Sequence, residues 1–196
     1  MQKELNKKYI AVFDAEYTAK TNECKGIQEM IQCALLIFSL DKNENGQFLS
    51  DSVEKYTVYT KTQYNKKLSD FIISLTGIQE QNVSDGENLN DVMDKIISYL
   101  EKYEIESVFV WGPDSKILSY NLELIDYPRK KAMQFLDKIV DISKTVSRSL
   151  NSKRTLSQLK ACKMCKLKSV GKNHNAPDDA LNLAALINAN KSIILN

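Results

Sequence analysis

The chain reads as an α/β protein with a mixed five-stranded sheet and helices on both faces, and three observations lead there. Two long, mostly apolar runs near the start, Tyr9 to Thr18 and Met30 to Leu40, have the composition of strands buried inside a sheet. A third run, Val53 to Thr60, follows over a short link, which suggests an antiparallel meander. Beyond residue 68, helical patterns are interleaved with two further short runs, Glu106 to Trp111 and Lys138 to Ile142, so the later strands are reached through helices.

The first run is β-branched and apolar until it ends in two carboxylates, Asp14 and Glu16. Thr18 to Gln28 is polar and reads as a loop. Met30 to Leu40 is the second strand, and Asp41 to Gly46 is a turn cluster. In the third strand Val53, Lys55, Thr57 and Tyr59 share one face. Leu68 to Leu75 is a short helix that stops in Thr76-Gly77-Ile78. Asn90 to Tyr103 is a longer one, with an Asn or Asp cap and with Val92, Ile96, Ile97 and Leu100 along one side. Gly112-Pro113 closes the fourth strand, and Asp114 opens a helix to about Leu124. After the fifth strand a helix is expected from Thr155 to about Cys165. The last helix begins at Pro177, a residue favoured in a first turn, and buries Ala180, Leu183, Ala184 and Ile187 at helical spacing. A single domain is expected over residues 1–196, with its core at about 8–190.

With 196 residues and 43% hydrophobic content, the chain is long enough to bury a full core. No apolar run approaches the ~20 residues of a membrane span. The polar start, Met1 to Lys8, leads directly into a strand without the apolar segment of a signal peptide, so a cytoplasmic protein is expected. Cys24, Cys33, Cys162 and Cys165 suit a reducing compartment. Cys162 and Cys165 have the spacing of half a zinc site, but no second pair stands ready to complete it. Their expected role is packing, on the stripe Leu156, Leu159, Cys162, Cys165. The net charge of +2 conceals an asymmetry: residues 1–127 carry 13 Lys and Arg against 21 Asp and Glu, and residues 128–173 carry 13 against 2. The basic tract suits a polyanion.

Residues two apart on a strand point to one face, so Asp14 and Glu16 converge. Two poorly solvated acids repel each other, and such a pair persists most easily around a cation. Hard oxygen ligands suggest Mg²⁺ or Mn²⁺. Taken alone, an Asp-x-Glu is more often a strand running out into a polar turn, since such tripeptides are common. The chain's one histidine, His174, precedes Asp179 by five residues, and Asp179 lies in the first turn of a helix that must pack on the sheet carrying Asp14. Asp114 enters from the end of the fourth strand.

Asp14-x-Glu16, Leu75-Thr-Gly-Ile78, Trp111-Gly-x-Asp114 and His174-x-Ala-x-x-Asp179-Ala180 resemble, in order and approximate spacing, the DEDDh 3′→5′ exonucleases with an RNase H-like fold. The resemblance runs from about Lys8 to Ile187. The Trp-Gly before the third acid is most similar to the histone-mRNA 3′ exonuclease and KapD-like branch, although Asp114 stands one residue nearer to it than in many members. The resemblance implies that Asp14, Glu16, Asp114 and Asp179 hold two divalent metals, Mg²⁺ or Mn²⁺, and that His174 is the general base. It assigns Ala15, Tyr17, Thr76, Gly77 and Ile78 to the terminal nucleotide, with Ile78 wedged against its base.

Physical chemistry agrees with that assignment. Two ions about 4 Å apart supply a hydroxide and offset the charge of a phosphorane, and histidine, with a pKa near 6.5, takes the proton of water. The family's spacing of five from the histidine, carried by the resemblance, implies Asp179 and leaves Asp178 to complement the helix dipole; Trp111 is expected in the core. The activity that the resemblance implies is 3′→5′ hydrolysis of single-stranded RNA or DNA to nucleoside 5′-monophosphates. The basic tract from Arg129 to Lys172 would guide the strand, with Lys153 and Arg154, just before the helix expected at Thr155, foremost. The alternatives are a non-catalytic binding module on the same fold, against which the intact acids and histidine weigh, and a polymerase proofreading subunit, for which no polymerase-binding tail speaks.

Overall fold

The computed structural model describes residues 8–20, 26–41, 49 and 51–195. β1 (Tyr9–Tyr17), β2 (Met30–Ser39) and β3 (Ser52–Tyr59) form the antiparallel meander. After α1 (Asp70–Thr76), α2 (Glu80–Ser84) and α3 (Leu89–Lys102), β4 (Val108–Val110) lies parallel to β1. Then follow α4 (Asp114–Leu124), α5 (Arg129–Leu136) and β5 (Ile139–Asp141), which pairs parallel with β4. The chain closes with α6 (Ser143–Ser149), α7 (Gln158–Met164), α8 (Ala176–Ala189) and α9 (Lys191–Ile194). The sheet order is β3-β2-β1-β4-β5. This is the mixed, five-stranded arrangement that the sequence predicts.

β1 and β2 are buried on both sides, and alternation along β1 sorts its side chains between two cores. Ala11, Phe13, Ala15 and Tyr17 join a cluster with residues of α3, α4 and α5, among them Ile96, Leu118 and Phe135. Ile10 and Val12 join a second cluster with Ala161 and Cys162 of α7 and Ala180, Leu183 and Ile187 of α8. Asp14 and Glu16 continue the even-numbered series, so the acids face α8. Period-two geometry thus decides which helix completes the site. On β3 the face bearing Val53, Lys55 and Thr57 is exposed, and Tyr56 and Val58 pack on the first cluster.

Several expectations need correction. The helix expected from Thr155 begins at Gln158, because Leu156 is held outside it: its N–H donates to Ser147 Oγ, its carbonyl accepts from Trp111 Nε1, and Ser157 caps the helix. Short helices α2, α5, α6 and α9 were not anticipated, having too few turns for a clear apolar period. The basic tract is not one surface. α5, with Arg129, packs with α3 and α4 on the sheet face opposite α8, and Lys131 pairs there with Asp94 at 2.9 Å. Cys162 is buried in the second cluster and Cys165 packs against it, in the expected packing role. Cys24 and residues 42–46 of the turn cluster lie outside the described residues. No helix among the described residues is long and apolar enough to cross a membrane.

Candidate active site

A cleft of about 510 Å³ opens where β1 ends. Asp14, Ala15 and Glu16 line it from β1, Trp111 and Asp114 from the segment after β4, Ser157, Gln158 and Leu159 from the start of α7, and Asn173, His174 and Asp179 from α8 and the loop before it. All five predicted chemical residues therefore meet in one cleft. Within it, donor atoms of Glu16, His174 and Asp179 lie within 4.8 Å of one another.

The His174 loop is shaped by its own helix. Side chains of α8 accept from three backbone N–H groups of the preceding segment: Asn182 Oδ1 from Val170 at 2.8 Å, Asp178 Oδ2 from Lys172 at 2.9 Å and Asp179 Oδ2 from His174 at 2.8 Å. The five-residue spacing thus has a structural cause, and Asp178 does more than complement a dipole. His174 itself has φ 61°, in the left-handed region that non-glycine residues seldom occupy. Gly171 shares that region, and a Cβ there would stand 2.0 Å from the Asp178 carboxyl carbon.

Two glutamines that sequence reasoning passed over position the site. Gln32 on β2 is the register partner of Glu16, is buried, and accepts from the N–H of Ala176 at 3.0 Å, which fixes the start of α8 beside β1. A lone amide in the run Met30-Ile-Gln32-Cys-Ala was the available signal. Gln158 donates from Nε2 to the Asp179 carbonyl at 3.0 Å. On the other side, the Tyr17 hydroxyl donates to the Asp114 carbonyl at 3.4 Å and ties the end of β1 to α4. Trp111 is half-buried, packed on the second cluster and at the edge of the cleft.

Burial and mutual repulsion hold the acids toward their neutral forms. Asp14 is pushed well above the usual carboxylate range, by burial first and then by Asp114, Asp179 and Glu16. Glu16 is pushed up to about 8 by burial, Asp179 and Asp114. Asp114 rises to about 6 through burial and Asp141. Burial also raises Asp179, partly offset by the His174 N–H. Among the described residues, no lysine or arginine lines the cleft to neutralise these groups. Asp179 Oδ1 is buried without a hydrogen-bond partner among the described residues. Four carboxylates, one of them with an orphaned buried oxygen, fit hard divalent cations such as Mg²⁺ or Mn²⁺.

The other predicted residues lie around this centre. Ile78 is 2% exposed and belongs to a third cluster with Ile31, Leu68, Ile72 and Val83. The Thr76 hydroxyl donates to the Ile72 carbonyl and accepts from the Ile78 N–H, shaping the stop of α1. Gly77, at φ 83°, faces the ammonium of Lys172, which would stand 2.9 Å from an added Cβ. The turn does not line the cleft, but Lys172, two residues before His174, reaches it. Lys153 and Arg154 are exposed in the segment between α6 and α7.

The exonuclease family model, of RNase T type, matches residues 11–187. Human (Homo sapiens) 3′-5′ exoribonuclease 1 is 26% identical over 190 residues, covering 91% of this chain and 51% of the relative. Its rat (Rattus norvegicus) counterpart is 24% identical over 189 residues, with 91% and 51% covered. The chain spans about half the length of these curated relatives. The solved nuclease domain of 3′hExo, a DEDDh family member, bound to rAMP, superposes with a TM-score of 0.76 at 23% identity, over 93% of this chain and 90% of that one. Cell-death related nuclease 4 gives 0.76 at 18% identity, over 95% and 64%. The chain belongs to the exonuclease family and has the RNase H-like fold of its structural neighbours.

Proposed function

We propose that the chain is a metal-dependent 3′→5′ exonuclease that removes nucleoside 5′-monophosphates from single-stranded nucleic acid, with RNA as the first candidate. The observation that carries this reading is the meeting of Asp14, Glu16, Asp114, Asp179 and His174 in one cleft that no lysine or arginine among the described residues lines. Two divalent cations, Mg²⁺ or Mn²⁺, held by the four carboxylates would supply a hydroxide at neutral pH and offset the charge on phosphorane and leaving oxygen. His174 takes the proton of the attacking water at a ring nitrogen. Asp179 anchors the His174 backbone, and Gln158 and Gln32 hold the helix that carries Asp179, so the base keeps its place relative to β1.

Ala15 and Tyr17 flank the acids, and the Thr76-Gly77-Ile78 turn, met by Lys172, is the candidate seat of the terminal nucleotide. Lys153 and Arg154, close in sequence to the α7 wall of the cleft, are candidates to attract phosphate. RNA is favoured because the curated relatives are named exoribonucleases and a structural neighbour is bound to rAMP. Discrimination from DNA would rest on contacts to the 2′-OH. The test is incubation of 5′-labelled RNA and DNA strands with Mg²⁺, Mn²⁺ or EDTA. Stepwise shortening from the 3′ end that EDTA abolishes is expected; strands intact under every metal condition would overturn the proposal.

A further inference from the structure

We infer that the loop between β3 and α1, residues 61–67, is an upstream track for the substrate strand, gripping backbone phosphates a few nucleotides before the 3′ end. This rests on the function proposed above and adds a second point of contact outside the cleft. β3 and β1 are both antiparallel to β2, so the loop leaves β3 at the sheet end where Glu16 stands, two strands or about 10 Å away. It carries Lys61, Lys66 and Lys67, all exposed, and Tyr64, 44% exposed. The three lysines border a groove of about 480 Å³, whose opposite wall includes one acid, Glu80. None of them forms an ion pair among the described residues.

The loop is built rather than loose. Glu29, immediately before β2, is buried, and its carboxylate accepts from the N–H groups of Gln63 at 2.5 Å, Tyr64 at 3.0 Å and Asn65 at 2.6 Å, and from Asn65 Nδ2 at 2.8 Å. Lys61 donates its N–H to the Glu87 carbonyl at 2.9 Å, and Leu68 anchors the far end in the third cluster. Glu29 is tied in turn to Thr18, two residues past Glu16, by N–H bonds in both directions, one to the Thr18 hydroxyl. Three successive N–H groups of this kind can bind an anion. Here Glu29 fills that place, so an approaching phosphate has to be met by the lysine side chains, with Tyr64 offering a stacking surface. The charge tally of the sequence hid this loop, because it lies in the acid-rich part of the chain.

The test compares Lys66→Glu with Lys67→Glu, combined, against the wild type on a single-stranded dodecamer and a dinucleotide of the same 3′ sequence. The charge reversal should raise KM for the dodecamer about tenfold and lessen its salt dependence by roughly one log unit per log unit of salt, while cleavage of the dinucleotide is retained. Lys66→Arg with Lys67→Arg should behave as wild type. Equal effects on both substrates, or none on either, would overturn the inference. Dodecamer binding, read by fluorescence anisotropy on an Asp14→Asn background, separates the two readings. Binding that falls on charge reversal upholds the track even if no cleavage is seen, and binding that is absent or unchanged refutes it.

Discussion

His174 is fixed through its backbone: the N–H bond to Asp179 holds it in a left-handed conformation while its ring faces the cleft. His174→Ala should therefore leave the loop standing and lower kcat by about 10²–10⁴-fold, the range for loss of a general base. Calorimetric Mn²⁺ titration should show metal binding retained. A loss as large as that of Asp179→Asn would make the imidazole a ligand, a role its approach to Glu16 and Asp179 also fits. Asp14→Asn has two expected effects of opposite sign. It abolishes cleavage by removing a ligand charge. It also stabilises the metal-free protein near pH 8, because burial first, and then Asp114, Asp179 and Glu16, disfavour the charged form of Asp14. Thermal unfolding in EDTA reads the second effect; a lower midpoint than wild type would show that repulsion does not dominate there. These acids and the histidine were legible in the sequence because charge at the end of an apolar strand, and a lone histidine five residues before an acid, are local patterns. Gln32 and Glu29 act across strand and loop contacts, which no local pattern records.

α8 and the loop before it supply Asp179 and His174 to the cleft, and the placement of the helix depends on Gln32. Replacing Gln32 with Leu leaves the Ala176 N–H buried and unpaired, which should cost about 1–3 kcal/mol in urea unfolding and lower kcat as Asp179 loses its register with Glu16. A stability loss with unchanged kcat would mean that the helix start is held by other contacts, such as Gln158 on the Asp179 carbonyl. Gly171→Ala should act on the loop alone, since its Cβ would collide with Asp178 at a φ that disfavours alanine; kcat should fall more than KM changes. The long elements were read well because each presents a complete apolar period, as in the Val92, Ile96 and Leu100 series of α3. α6 and α9, of seven and four residues, have no such period. The start of α7 was misplaced because Leu156 is apolar and in phase, yet Ser147 and Trp111 engage its backbone from outside the helix.

The molecule as a whole holds three buried acids, Asp14, Glu16 and Asp179, and the half-buried Asp114 at one end of its sheet, and its stability should follow their titration. Their folded pKa values are raised, so the neutral forms favour the fold. That stability is present below the unfolded values near pH 4 and is lost as pH rises through about 6 for Asp114 and about 8 for Glu16. In EDTA the thermal midpoint should drop by several degrees between pH 5 and pH 8.5, and excess Mn²⁺ should restore it at the upper end, since a ligand of the folded state stabilises it. A midpoint independent of pH in EDTA would contradict the electrostatic account. The whole-molecule geometry, with one cleft at the strand ends and a basic loop at the same end, points to a strand that enters by its terminus. The most direct check is to incubate a linear RNA and its circularised form with Mn²⁺ and resolve the products by chromatography. The linear strand should yield nucleoside 5′-monophosphates and the circle should remain whole; linearisation of the circle, or an intact linear strand, would contradict the 3′→5′ exonuclease reading.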